Sequence, residues 1–190
     1  MVDALGEKAR VPGEEGVWVL ILGDLLVFST FFLLYASYRS NALPVFAEGQ
    51  ALLSRHFGLV NTLLLLTSSL FVALGVQRAR AGRQGSSRMM AMAMLCGAGF
   101  VIIKGFEYGE KFGSGISFAT SEFFMLYFAF TGFHLIHVLI GLGVLAYLRS
   151  VCRNPKVAMG RMIVIESGAS FWHLVDLLWI VLFALFYLVR

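Results

Sequence analysis

Composition and charge indicate an integral membrane protein and exclude an ordinary soluble domain. The chain has 190 residues, of which 59% are hydrophobic and only 14% are charged, whereas soluble domains are about 45–50% apolar and about 25% charged. The formal net charge of +4 does not indicate nucleic-acid binding, because the basic residues gather mainly at two turns between apolar segments. The two cysteines, Cys96 and Cys152, are predicted to be free thiols without a disulfide.

Five apolar stretches are long enough to cross a bilayer, which requires about 20 residues per helix. They span residues 17–38, 58–77, 89–108, 121–148 and 163–189. The fold class predicted from them is an all-α bundle of five transmembrane helices that forms a single domain over residues 1–190, with residues 1–16 as a short polar tail. The first apolar run begins too late and is too long for a cleavable signal peptide.

The distribution of Lys and Arg predicts the orientation of the bundle. Ten basic residues lie in the tail and in the turns after the second and fourth stretches: Lys8, Arg10, Arg78, Arg80, Arg83, Arg88, Arg149, Arg153, Lys156 and Arg161. Four lie on the opposite side: Arg39, Arg55, Lys111 and Arg190. By the positive-inside rule, the N-terminus is cytoplasmic and the C-terminus is outside. The same residues are suited to bind anionic lipids, and the two interpretations are compatible.

Among the ionisable residues inside the apolar stretches, where such groups are costly and often mark a functional site, six are candidates for one shared site. They are Asp24, His134, His137, Glu166, His173 and Asp176. Counting about 1.5 Å per residue from the helix ends places all six in the cytoplasmic half of the bundle. We expect a polar cluster that binds lipid headgroups or moves protons. The alternative is a set of interhelical hydrogen bonds that fix the bundle.

The histidines allow two further hypotheses. His134 and His137 lie one helical turn apart and could bind a metal together with His173, or two histidines on facing helices could hold a haem. The simpler interpretation is that these histidines form hydrogen bonds with neighbouring helices or lipid headgroups. The sequence shows no phosphate-binding loop, CxxC pair or recognisable nucleophile–base pair, so catalysis by this chain alone is not expected.

Three more polar residues are expected to make contacts between helices or subunits. Lys104 and Glu107 stand three residues apart near the outer end of the third stretch. That spacing favours an ion pair within one helix, and the alternative is a contact with a partner subunit. Asn61, in the second stretch, is expected to contact another helix or a subunit.

Five motifs, in order along nearly the whole chain, resemble subunit III of the haem–copper oxidase superfamily. They are Trp18–Asp24 (WVLILGD), Asn61–Ser69 (NTLLLLTSS), Glu107–Glu110 (EYGE), Phe123–Phe124 followed by Thr131–Gly141 (TGFHLIHVLIG), and Glu166–Trp179 (ESGASFWHLVDLLW). The chain resembles helices three to seven of the family's seven-helix form. Asp24 stands where the cytochrome oxidases have a Glu.

The resemblance implies a non-redox accessory subunit in a bacterial inner membrane. Such a subunit has no cofactor of its own, and haem and metal are expected only in its partner, a large haem-containing catalytic membrane subunit. Bound phospholipid is expected on this chain, and no nucleic-acid partner is expected. The resemblance further implies that the chain supports the stability of the catalytic subunit and its proton uptake from the cytoplasmic side.

Two segments favour one branch of this family. The C-terminal run Trp179–Arg190, and the segment Ser121–Phe124 taken together with Gly132–His137, look more like the branch associated with nitric oxide reductase. The alternative is subunit III of an oxygen-reducing cytochrome c or quinol oxidase. An alternative of another class is a stand-alone membrane transporter or proton path.

Overall fold

The structure is a computed structural model that describes residues 13–189, apart from the side chain of Glu15. Most of the predicted polar tail, residues 1–12, lies outside the described residues, as does Arg190. The described chain forms these α-helices in order: α1 (Glu15–Asn41), α2 (Leu43–Ala51), α3 (Arg55–Arg80), α4 (Ser86–Gly113), α5 (Glu122–Val151), α6 (Pro155–Gly160) and α7 (Met162–Phe183). A π-helix, π1 (Ala184–Leu188), continues α7.

Within the described residues, five helices are long and apolar enough to span a membrane. They are α1, α3, α4, α5, and α7 together with π1. This confirms the predicted all-α architecture with five spans. The helices extend beyond the predicted stretches because hydropathy marks only their apolar parts, whereas α4 continues through Glu110 and Lys111 to Gly113.

The sequence did not predict the two short helices, which lie in the connections between spans. Pro44 stands in the first turn of α2, where the missing N–H of proline has no intrahelical partner to lose. Asn154 caps α6, because its Oδ1 atom accepts a hydrogen bond of 3.0 Å from the backbone N–H of Lys156. Both helices therefore begin at local signals that a hydropathy pattern does not detect.

Four helices form the central bundle. α3 packs along α4 and α7, and α5 packs along the same two helices. The residues on the inward face of α3 recur every three or four positions, as expected for one side of a helix. They are Gly58, Asn61, Leu65, Ser68, Val72, Gly75 and Ala79. This face combines small residues with polar ones, which suits close packing between helices in a membrane.

Trp172 shows how closely the helices approach. Its side chain is fully buried between glycines of two other helices. A Cβ atom added to Gly97 of α4 would lie 2.9 Å from the Trp172 ring, and one added to Gly141 of α5 would lie 2.7 Å from it. Glycine at these two positions therefore makes room for the indole ring where α4, α5 and α7 meet.

α1 lies on the outside of the central bundle. Its buried hydrophobic residues, Ile21, Phe28 and Tyr35, are spaced by seven, so α1 contacts α5 and α7 through a narrow stripe. Most of its remaining surface is apolar and exposed, including Leu22 and Leu33. Such a surface suits lipid tails or another membrane protein, not water.

The spans alternate in direction, so the bundle has two ends. We call the end that holds the start of α1, the turn of residues 81–85 and the connection of residues 152–161 the basic end, because the basic turns lie there. This is the end predicted to face the cytoplasm. The opposite end holds α2 and π1.

Gly141→Val is expected to lower the thermal unfolding temperature, because the larger side chain collides with Trp172. Overpacking of a buried site typically costs about 1–3 kcal/mol. Gly143→Val is the matched control, since Gly143 lies on the same helix and an added Cβ there has no described neighbour within 4 Å. Unfolding of both variants in one detergent measures the difference, and equal losses would contradict the packing argument.

Candidate functional site

Asp24 on α1 and His137 on α5 form a polar pair between the outer helix and the bundle. The Asp24 Oδ1 atom lies 3.5 Å from His137 Nε2, and the two side chains are 23% and 17% exposed, respectively. His137 Nδ1 lies 2.9 Å from the backbone oxygen of Phe133, which can only accept a hydrogen bond, so Nδ1 carries a proton. An attractive contact between Nε2 and Asp24 then requires one more proton, either on the ring or on the carboxyl group.

Ser69 on α3 joins His173 and Asp176 of α7. Its Oγ atom lies 2.5 Å from His173 Nδ1, and the hydroxyl also interacts with the Asp176 carboxyl group. Asp176 is buried, and its Oδ1 atom has no hydrogen-bond partner among the described residues. This second group is therefore a polar contact between α3 and α7, as the alternative interpretation of interhelical hydrogen bonds expects.

Glu166 belongs to a third group at the basic end. Arg80 Nη2 donates to Glu166 Oε1 over 2.7 Å, and the backbone N–H of Gly13 donates to Oε2 over 3.3 Å. The next residue, Ser167, accepts a 2.9 Å hydrogen bond from the backbone N–H of Glu14. The start of α7 is thereby tied to the end of α3 and to the segment that leads into α1.

His134 lies apart from these groups, in the interior of the bundle. Its ring packs against the rings of Phe100 and Trp179, with centroids 5.6 and 5.4 Å away. Neither ring nitrogen has a hydrogen-bond partner among the described residues. Across residues 13–189, no three His, Cys, Asp or Glu side chains converge on a possible metal position, and the three histidines of the metal hypothesis have different neighbours.

The six predicted residues therefore do not form one cluster. The structure brings Asp24 and His137 together and places His173 and Asp176 on Ser69, but gives Glu166 and His134 other neighbours. The prediction used only depth along the helix axes. Glu166 and His173 share a face of α7, yet two helical turns separate them by about 10 Å along the axis, which is too far for a shared hydrogen bond.

A buried ion pair anchors a fourth group, which we call the Lys104 cluster: Lys104, Glu107, Tyr127 and Tyr187. The Lys104 Nζ atom lies 2.8 Å from Glu107 Oε2, and both side chains are 0% exposed. Lys104 also donates to the hydroxyl oxygens of Tyr127, over 2.9 Å, and Tyr187, over 3.1 Å. The predicted ion pair is thus present, but it lies inside the bundle and is not available to a partner subunit.

The π-helix places Tyr187 in this cluster. The Tyr187 hydroxyl donates to Glu107 Oε1 over 2.5 Å, so both carboxylate oxygens of Glu107 have a donor. In the same π-helix, the backbone oxygen of Leu185 accepts hydrogen bonds from Tyr35, over 2.9 Å, and from Gln50, over 3.1 Å. π-helical turns are rare in proteins, and those that occur often lie at functional sites. Here the π-helix connects the C-terminal end of α7 to α1 and α2 through these hydrogen bonds.

Asn61 is fully buried on the inward face of α3. Its side-chain amide has no hydrogen-bond partner among the described residues. The adjacent Thr62 accepts a 3.0 Å hydrogen bond from Trp179 Nε1, which connects α3 to α7. Asn61 therefore takes part in packing between helices and does not lie on a surface where a subunit could bind.

The chain is similar to known proteins over the full length of this bundle. Residues 13–189 match the family described as "Cytochrome c oxidase subunit III". The chain is 31% identical to "Cytochrome c oxidase subunit 3" of Corynebacterium diphtheriae, with 100% of both chains aligned. It is 29% identical to "Probable cytochrome c oxidase subunit 3" of Nocardia farcinica, over 100% of this chain and 93% of the relative. It is 27% identical to "Cytochrome bo(3) ubiquinol oxidase subunit 3" of Pseudomonas putida, over 91% of this chain and 84% of the relative.

Lys104→Met is expected to destabilise the protein strongly, because it leaves the Glu107 carboxylate buried without its cation. Removing one partner of a buried ion pair typically costs about 3–5 kcal/mol, whereas replacing both by apolar residues is often far less costly. The double variant Lys104→Met/Glu107→Met should therefore unfold at a higher temperature than the single variant. Glu110→Gln, whose side chain is 56% exposed, is the control, and a double variant less stable than Lys104→Met would contradict this account.

Proposed function

The chain belongs to the cytochrome c oxidase subunit III family, and on that premise we propose that it is the non-catalytic third subunit of an oxygen-reducing haem–copper oxidase in a bacterial membrane. The extent of the family match carries the proposal, because the match includes all five spanning helices. Relatives named for a cytochrome c oxidase and for a ubiquinol oxidase both support it. The haem and copper of such an enzyme belong to the large catalytic subunit, against which this chain packs.

We propose an oxygen-reducing oxidase in place of the nitric oxide reductase branch that the sequence motifs favoured. None of the three relatives described above is named for a nitric oxide reductase. The C-terminal run on which that assignment was based, Trp179–Arg190, consists mostly of apolar and aromatic residues. Such a composition is shared by many spanning helices, so it discriminates poorly between branches of one family.

Within this function, we assign a proton-related role to the Asp24–His137 pair. The Asp24 carboxyl group and the His137 imidazole ring lie 3.5 Å apart, and both side chains are partly exposed at the bundle surface. Both groups can bind a proton, and partial exposure leaves them accessible to a partner subunit or to a chain of water molecules, which a fully buried pair is not. The His173 group is a weaker candidate, since Asp176 is buried and has Ser69 as its neighbour.

Bound phospholipid is the second part of the proposed role. An apolar groove of about 290 Å³ runs between α1, α5 and α7, lined in part by Val17, Leu20, Ile140, Val144 and Phe171. Tyr147 also lines this groove and accepts a 3.1 Å hydrogen bond from Arg161. An acyl chain in the groove would place a lipid phosphate near that guanidinium group at the basic end, which is favourable for an anionic headgroup.

Purification of the chain from its native membranes tests the proposed function. The chain, tagged at its N-terminus and extracted in mild detergent, is expected to bring with it a large polytopic subunit with a haem absorption spectrum. The preparation should consume oxygen with either reduced cytochrome c or a quinol, and the more active donor identifies the enzyme type. A colourless solitary protein would contradict the proposal, as would a complex that consumes nitric oxide but not oxygen.

Asp24→Asn is expected to slow proton uptake from the basic end. The amide is close in size to the carboxyl group, but it cannot exchange the proton. Time-resolved proton uptake during a single turnover of the purified complex measures the effect, with Glu110→Gln at the opposite end as the control. Uptake rates equal to those of the unsubstituted complex would contradict the assignment.

A further inference from the structure

A separate pocket of about 530 Å³ opens at the basic end, between the turn that joins α3 to α4 and the turn that joins α5 to α6. Arg78, Arg88 and Arg153 line it, together with Gln84 and Ser87. No Asp or Glu lines this pocket. Its residues are distinct from those of the apolar groove and of the four polar groups described above, so none of the contacts described so far explains it.

The three arginines of this pocket have no counter-charge in the described part of the chain. The ion pairs found among residues 13–189 involve other cations: Arg80, Lys104, Lys111 and His137. Arg80 shows the contrast, because it lies only two residues beyond Arg78 and forms an ion pair with Glu166. All three arginines are exposed, so their guanidinium groups are solvated, and an anion that enters the pocket can pair with them directly.

The backbone of the α3–α4 turn shapes this pocket. Gly82 and Gly85 have φ angles of +62° and +95°, which glycine adopts without strain. The Arg78 Nη1 atom lies 2.8 Å from the position that a Cβ on Gly85 would take, so the missing side chain makes room for the guanidinium group. The hydroxyl of Ser86 fixes the turn by donating to the backbone oxygen of Gly75 over 2.7 Å.

Two further features favour an anion in the pocket. α4 begins next to it, and its N-cap residue Gly85 supplies no side-chain cap, so the partial positive charge of that helix end is not neutralised locally. Cys152 also lines the pocket, and burial raises the pKa of its thiol. The sulfur is therefore a neutral thiol at pH 7 and does not supply the missing negative charge.

We propose that this arginine pocket binds a phosphate-bearing anion. The planar guanidinium fork matches the geometry of phosphate oxygens, and three forks around one pocket can surround a phosphate group from several sides. The pocket lies at the end of the spanning helices, where lipid headgroups and soluble cytoplasmic phosphates both have access. The ligand is therefore either the headgroup of an anionic phospholipid or a free phosphate compound such as pyrophosphate.

Two charge-matched variants of the full complex test this proposal. The pocket variant is Arg78→Gln/Arg88→Gln/Arg153→Gln. The control variant, Arg83→Gln/Arg149→Gln/Lys156→Gln, removes the same number of charges from the same end, at residues that do not line the pocket. A hydrogen bond to a charged group contributes about 1.5–3 kcal/mol, so the pocket variant should bind the anion at least about tenfold more weakly, whereas the control should bind it normally.

Two measurements distinguish the sources of the phosphate. Native mass spectrometry counts the phosphatidylglycerol and cardiolipin retained by each variant, and thermal unfolding with increasing inorganic pyrophosphate measures binding of a free phosphate compound. Loss of retained anionic lipid in the pocket variant alone assigns the site to a headgroup. Loss of the pyrophosphate-dependent stabilisation in the pocket variant alone assigns it to a free phosphate. Pocket and control variants that behave alike in both measurements overturn the proposal.

The unsubstituted complex provides a measurement that does not depend on the variants folding. Its unfolding temperature in phosphatidylcholine nanodiscs should rise with added pyrophosphate, or should rise when phosphatidylglycerol replaces phosphatidylcholine, because a bound anion stabilises the folded state. An unfolding temperature that neither change raises overturns the proposal.

Discussion

The lack of water in the hydrocarbon core is the constraint on which the rest of this structure depends. A polar group inside the bundle either finds a partner on a helix or stays unpaired at a substantial cost in free energy. Lys104 meets this constraint with partners on α4, α5 and π1, and Ser69 does so by joining α3 to α7. The same interactions that satisfy these groups therefore fix which helices are neighbours and at which depth they meet.

The outer helix α1 depends on polar contacts between helices more than the central helices do, because its packing stripe is narrow. It is attached at three depths: Glu14 bonds to Ser167 at the basic end, Asp24 pairs with His137 within the membrane, and Tyr35 bonds to the backbone of π1. The proton-related role proposed for Asp24 therefore belongs to a contact that also holds α1 in place.

Hydropathy predicted the spans correctly, since burying about 20 apolar residues in a bilayer depends only on local sequence. The Lys104–Glu107 pair was predictable for a similar reason, because the i,i+3 spacing fixes its geometry within one helix. The tyrosines that complete the Lys104 cluster were not, because Tyr187 reaches Glu107 from a π-helix that no local pattern indicated. The six residues of the predicted polar cluster have different neighbours, because depth does not determine the rotation of a helix about its axis. That rotation follows from packing, such as the fit of Trp172 between Gly97 and Gly141.

A cryo-electron microscopy map of the purified complex in nanodiscs tests the central claim most directly, which is that this chain is a non-redox subunit beside a haem-containing partner. We expect haem density only in the large partner subunit, with His134 packed against Trp179 and His137 paired with Asp24, as in the structure described above. Haem or metal density coordinated by His134, His137 or His173 would contradict the claim, and so would a map of this chain without a haem-containing neighbour.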